Sequence, residues 1–374
     1  MIYLDNAATG GFKPRAVTDS VLNVSRYLLA NPGRSGHRLA VTGATLVLNT
    51  RRAIGEFFSC PIEKVIFTKN CTEALNTAIF GSIKKGDHVI TTVYEHNSVL
   101  RPLYRLERNK IISLTIIDGD SDLTLIDNLK GAICPQTKAF ICTAVSNVTG
   151  RVFPINSLGK IAKESGILFI VDGAQGGGHI PISLSEDNIS ALALAGHKGL
   201  YGIMGGGALL INQNTDISPL TYGGTGIDTF SVDMPDYYPE RLEAGTLNLP
   251  AVASLYEGLG YISKNLTSFA NHLTSVSAFM IDKLSLINGL TCFSAPNPSG
   301  IVSFSLQNYD SQEVSNILSS EFDIAVRGGF HCAPLFHKHL KTDNGGLVRA
   351  SVSPENSSFE VLEFLRAVKK IASR

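Results

Sequence analysis

What most constrains the fold of this chain is an alternation sustained as far as Pro250: short β-rich runs take turns with helix-length segments. Lys64–Phe67, His88–Thr92, Ile112–Ile117, Lys138–Val145, Gly166–Asp172, Ile189–Ala195 and Gly207–Ile211 read as strands. Several are continuous apolar runs, such as ILFIV and AFICTAV, as expected where both faces of a parallel sheet are covered. His37–Phe58, Thr72–Ile83, Ser98–Asn109 and Ser157–Ser165 carry helical patterns. Parallel neighbours need such crossovers, so the pattern predicts βαβ units and an α/β fold.

Residues 215–250 loosen into Gly, Pro, Tyr and Asp. An irregular segment this long in a compact protein is more often functional than idle. Helices are then expected at Ala251–Lys264, Ser268–Leu284, Asp310–Phe322 and Ser357–Ala372, with strands at Gly300–Leu306 and Ile324–Arg327. The expected division is a large α/β domain over residues 16–250 and a smaller α+β domain made of residues 1–15 and 251–374.

Composition narrows the function classes. With 374 residues, 44% of them hydrophobic, the chain can bury a sizeable core, which excludes disorder. The 32 Lys+Arg balance the 32 Asp+Glu without a basic block, so nucleic acid is not an expected partner. No apolar run approaches the ~20 residues of a membrane helix. The start, MIYLDNAATG, carries no signal-peptide pattern, and the six cysteines have no framework spacing. A cytoplasmic protein with reduced thiols is the expectation.

Four constellations carry chemistry. VDGAQ and AGHKG each follow an apolar strand, which places Asp172 and Lys198 at the same rim of a parallel sheet, where such sheets bind ligands. A lysine facing an aspartate is what pyridoxal 5′-phosphate (PLP) requires: the amine forms a Schiff base and the carboxylate keeps the pyridine nitrogen protonated. The bland alternative is a helix-capping Asp172 and a solvated Lys198. Next, Thr72 and Glu73 follow the strand VIFT and open a helix whose free N–H groups can hold a phosphate, or simply form an ordinary cap. Third, His96, past the strand HVITT, faces the same rim, where an imidazole can stack on an aromatic cofactor and move protons. Fourth, Cys332 lies between Arg327 and His331 in a Gly-rich, Pro-terminated loop, and nearby cations favour a thiolate nucleophile. The other five cysteines are expected to pack as small hydrophobes. Cys332, His337 and His339 lack a fourth ligand at finger-like spacing, so no metal site is expected.

At these residues the chain resembles the PLP-dependent aminotransferase class V family, specifically its group II cysteine desulfurases and selenocysteine lyases. The likeness runs through YLDNAATG, NPGRSGH, FTKNCTEALN, GDHVITTVYEHNSVLRP, SNVTG, VDGAQ, GHKGLYG, RLEAGTLN, RGGFHCAP and GLVRAS. The resemblance implies fold type I, with a large, mostly parallel seven-stranded sheet domain and a smaller α+β domain. It implies PLP as cofactor, with Lys198 as Schiff-base lysine and proton shuttle and Asp172 on the pyridine nitrogen. Gln175 would bond the ring hydroxyl oxygen and His96 would stack on the ring. Cys71, Thr72 and His197 would hold the phosphate, and Thr246 would reach the phosphate of a neighbouring subunit in a homodimer. Asn147 and Arg349, with Arg327, would bind substrate. Cys332 would attack the sulfur of L-cysteine, leaving a persulfide for a sulfur-acceptor protein and releasing alanine.

The departures from the family pattern lie close to these positions. Ala195 stands where the family carries Ser or Thr beside the phosphate, Cys71 replaces a common Thr, and SVSPENS replaces a Tyr-Asn-Thr type of run. The alternatives are a selenocysteine lyase, in which the substrate's selenol leaves more readily, a class V aminotransferase, which gives Cys332 no role, and a non-enzymatic scaffold.

Overall fold

A computed structural model describes residues 1–28, 30–33 and 35–374. Arg34, in the NPGRSGH motif, lies outside the described residues. The main sheet has seven strands in the spatial order Val65–Thr68, Gly207–Ile211, Ala191–Ala195, Leu168–Asp172, Thr137–Thr143, His88–Thr92, Ser113–Ile117. Gly207–Ile211 alone runs against both neighbours; the remaining pairings are parallel. The expected large, mostly parallel α/β sheet is therefore present.

The continuous apolar runs have a plain cause. Side chains alternate across a strand, and here both faces are covered: Phe169, Val171 and Leu192 enter one core, while Ile170, Ala191 and Ala193 enter the other. Phe140 and Phe169, in register on adjacent strands, stack at 5.5 Å.

The second sheet is antiparallel, in the order Arg327–Gly329, Leu347–Ser351, Ile301–Leu306, Leu290–Cys292. Its core joins Val302, Phe304, Val348 and Ala350 to helices Leu266–Leu284, Ser311–Phe322 and Ser358–Ala372. Ser357 and Glu360 close a reciprocal capping box at the last helix. Helix Leu249–Ile262 packs on helices Arg15–Tyr27 and Arg38–Phe58, and its Leu255, Leu259 and Ile262 belong to a main-sheet core.

Two expectations need correction. The strand expected at Ile324–Arg327 is two strands: Ile324–Ala325 pairs with Ile2–Tyr3, whereas Arg327–Gly329 pairs with Leu347–Ser351. Helices Arg15–Tyr27, Asp122–Ala132 and Pro334–His339 and strand Leu347–Ser351 add to the expected elements. The irregular stretch before Leu249 leaves Phe230 and Val232 fully exposed, at 102% and 98%. Among the described residues no helix is long and apolar enough to cross a membrane.

Candidate active site

Asp172 ends its strand, and Lys198 lies just past the end of the adjacent parallel strand Ala191–Ala195. The two parallel strands therefore present both groups at one rim. The loops that follow them press backbone on backbone: Gly178 has φ +86°, and an added Cβ there would strike the Gly199 carbonyl. The glycine runs beside both motifs exist for this close approach.

The rim opens into a cleft with about 530 Å³ of atom-free space, lined by Cys71, Thr72, His96, Asn147, Asp172, Gln175, His197 and Lys198. Asp172 Oδ1 accepts the Ala174 N–H at 2.9 Å and the Cys71 thiol at 3.4 Å. The Lys198 side chain reaches the cleft yet is ringed by protein. Burial lowers its ammonium pKa, the Asp172 carboxylate opposes that, and Arg349 and Arg327 reinforce it. Gln175 donates to the Ala7 carbonyl at 2.8 Å. His197 Nδ1 meets Thr9 Oγ1 at 3.0 Å. Burial, then Lys198 and Lys13, hold the His197 imidazole down at about 4, so it is neutral at physiological pH.

Helix Cys71–Ser82 starts one residue earlier than expected, and its cap is Asn70, which accepts the Glu73 N–H at 2.9 Å. The first-turn N–H groups of Cys71 and Thr72 have no acceptor within the helix. Thr72 Oγ1 lies 2.8 Å from Ser98 Oγ, and Ser98 Oγ lies 2.8 Å from His96 Nδ1. His96 Nδ1 also accepts the Ser98 N–H at 3.0 Å, which leaves the ring proton on Nε2. Burial lowers the pKa of His96 and favours this neutral form.

Cys332 is partly exposed, and His331 and Cys332 sit at φ +48° and +56°, a left-handed turn that is uncommon outside glycine. Two hydrogen bonds dock this loop on the main-sheet rim. The Asn97 N–H, next to His96, donates to the Cys332 carbonyl at 2.7 Å, and Asn147 donates to the His331 carbonyl at 2.7 Å. Arg327 Nη2 is 4.0 Å from Cys332 Sγ. The expectation of two cations beside the thiol needs correction. Burial, then Arg349, push the His331 imidazole down to about 2, so it is neutral and Arg327 alone of the pair brings charge. His337 Nδ1 meets Thr342 Oγ1 at 2.8 Å, and His339 Nε2 meets Asp120 Oδ1 at 3.0 Å.

Arg349 is 1% exposed and is not among the residues lining the cleft. It donates to the Asn147 carbonyl and to Asp5 Oδ1, both at 2.9 Å, and its buried Nε has no partner among the described residues. Thr246 is exposed and outside the cleft, with Asn31 3.4 Å from its hydroxyl. Several site residues were missed. Asp5, Ala7 and Thr9 belong to YLDNAATG, a motif of the family resemblance. Glu95 is fully buried; its Oε1 accepts from Thr92 at 2.6 Å and from the Thr143 N–H at 3.1 Å, and Oε2 has no partner among the described residues. Burial raises its pKa to about 8, so it is protonated at neutral pH. Cys71, expected both to pack as a small hydrophobe and, by the resemblance, to hold the phosphate, also donates its thiol to Asp172 Oδ1.

The aminotransferase class-V family model matches residues 2–364. The chain belongs to that family. Among class-V relatives, a probable cysteine desulfurase of Pyrococcus abyssi is 34% identical, with 99% of this chain and 94% of the relative covered. A probable cysteine desulfurase of Methanothermobacter thermautotrophicus is 30% identical over the same shares, 99% and 94%. The solved apo structure of a cysteine desulfurase from Thermococcus onnurineus superposes with a TM-score of 0.91 at 31% identity, covering 100% of this chain and 94% of the other. Class-V enzymes of this kind are PLP-dependent, and the chain shares their fold.

Proposed function

We propose that this class-V chain is a PLP-dependent cysteine desulfurase that works as a homodimer. The observation that carries this reading is the convergence at one rim of a lysine–aspartate pair and a partly exposed thiol docked by Asn97 and Asn147. The donor set suits the cofactor. Asp172 Oδ2 takes no hydrogen bond among the described residues and suits a pyridinium, Lys198 has a lowered pKa that suits an aldehyde, and the helix start at Cys71 with the Thr72 hydroxyl suits a phosphate. His197 would complete the phosphate site, Gln175 would bond the ring hydroxyl oxygen, and His96 would cover the ring face.

When bound, PLP supplies an electron sink for the carbanion left at the substrate Cα. Lys198 takes the Cα proton and returns it, a task that its lowered pKa favours. Asn147 and Arg349 hold the substrate carboxylate, with Arg327 beside them at the thiol. The Cys332 sulfur attacks the substrate sulfur: an S–S bond forms, the substrate C–S bond breaks with its electron pair moving to carbon, and protonation of that carbon gives alanine. The persulfide on Cys332 is then passed to a sulfur-acceptor protein. The free cysteines suit a reducing, cytoplasmic setting. The dimer reading is supported by Phe230, Val232 and Tyr222 exposed in the same irregular segment that carries Thr246, whose hydroxyl would serve the neighbouring subunit's phosphate.

The test is alanine release from L-cysteine with reductant present, by wild type and Cys332→Ala side by side. Release by wild type that collapses by roughly 10²-fold or more in the variant is expected for loss of the nucleophile. Equal release by both proteins would sink the persulfide step.

A further inference from the structure

Asp172 is the group that would face the cofactor's pyridine nitrogen, and a side chain that donates to its carboxylate is Cys71. We propose that Cys71 is a positioning residue whose thiol holds the Asp172 carboxylate in the orientation that presents its free oxygen to the cofactor. This rests on the PLP reading above.

The carboxyl torsion of an aspartate is broad and roughly two-fold, so one donor does not set it. Oδ1 here takes two donors from different elements: the Ala174 N–H of its own loop at 2.9 Å, and the Cys71 thiol at 3.4 Å from the first residue of helix Cys71–Ser82. Oδ2 takes no hydrogen bond among the described residues, and Asp172 lines the cleft. Two anchors on one oxygen leave the other aimed at the open side.

The thiol is fixed in its own turn. Cys71 is 7% exposed and packs in the core that includes Ile66, Leu75 and Ala193, and the Asn70 cap sets where its helix begins. Burial, then the Asp172 carboxylate, keep the thiol well above its ordinary pKa, so the sulfur retains the proton it donates. A thiol is a weak donor to a neutral acceptor, and a carboxylate in a desolvated site strengthens the bond. The departure from the threonine common at this position therefore keeps a donor rather than losing one.

The experiment titrates cofactor-stripped protein with PLP and follows the visible band of the bound form. Cys71→Val keeps apolar bulk without the donor, and Cys71→Ser keeps a donor. Cys71→Val is expected to weaken PLP binding by about tenfold, the scale of one charge-assisted hydrogen bond. Cys71→Ser should stay within about threefold of wild type, and in the Asp172→Asn background Cys71→Val should change affinity by less than about twofold, because contacting residues are not additive. Wild-type affinity in Cys71→Val overturns the proposal. So does an equal loss in both Asp172 backgrounds, which would mean that the thiol acts without the carboxylate. If Asp172→Asn abolishes the band, equal losses in the Val and Ser variants overturn it instead. A wild type that forms no band overturns the PLP reading and this proposal together, whereas a normal wild-type band with an indifferent Cys71→Val overturns this proposal alone.

Discussion

The Asp172–Lys198 rim and the Cys332 loop meet through the Asn97 and Asn147 hydrogen bonds and are built in opposite ways. The rim stands on buried parallel strands. Asp172, Gln175, His96 and His197 each have defined partners there, and packed glycine loops hold the turns. The Cys332 loop belongs to the antiparallel sheet, passes through two left-handed residues and is docked across by the Asn97 and Asn147 bonds. Polarising a bound cofactor needs groups that do not move, because misplacement costs the electrostatic gain. In the proposed reaction, carrying sulfur from substrate to a second protein would need a thiol with access to both, and a partly exposed loop suits that.

The largest expected effect separates the two regions directly. Lys198→Ala should remove both the visible band of bound PLP and alanine release, the latter by roughly 10³-fold or more, on the scale of a lost proton-transfer group and covalent anchor. Cys332→Ala should leave the band intact and lose only release. If the band also disappears in Cys332→Ala, the loop helps build the cofactor site and the contrast fails.

A smaller effect probes the buried Glu95 carboxyl. The pKa of Glu95 is raised in the folded protein, from 4.5 to about 8. Its favourable contribution is therefore present at low pH and lost as pH rises through about 8, with the loss beginning near 4.5, where the unfolded chain ionises first. Wild type should lose stability relative to Glu95→Gln across this window, at up to about 1.4 kcal/mol per pH unit. Urea unfolding at several pH values checks it, and parallel stability curves for the two proteins would show that Glu95 ionises normally.

The smallest effect concerns the support behind Lys198. Tyr201 has φ +57°, and its hydroxyl donates to Glu355 Oε1 at 3.0 Å, as does Tyr261 at 3.2 Å. Tyr201→Phe removes one of two donors and should cost about 1 kcal/mol in urea unfolding, with the PLP band unchanged. A shifted band would mean that Glu355, in the SVSPENS departure, helps set the lysine.

Much of the fold was legible because strands buried on both faces write continuous apolar runs, and the rim followed from where those runs stop. Helix Asp122–Ala132 was missed, its buried Leu125 and Leu129 giving only a short signal. The break at Val326 was hidden because a strand that changes sheets keeps a strand-like sequence.

The sequence by itself determined the α/β architecture, the family motifs, and Lys198, Asp172, His96 and Cys332 as the residues of interest. Local pattern and residue chemistry carry that information. Only the tertiary structure decided that His331 is neutral, that Glu95 keeps its proton, that Arg349 is held by Asp5, and that Cys71 meets Asp172 rather than merely packing. Burial and partners distant in the chain set protonation states and orientations, and these depend on which elements meet in space.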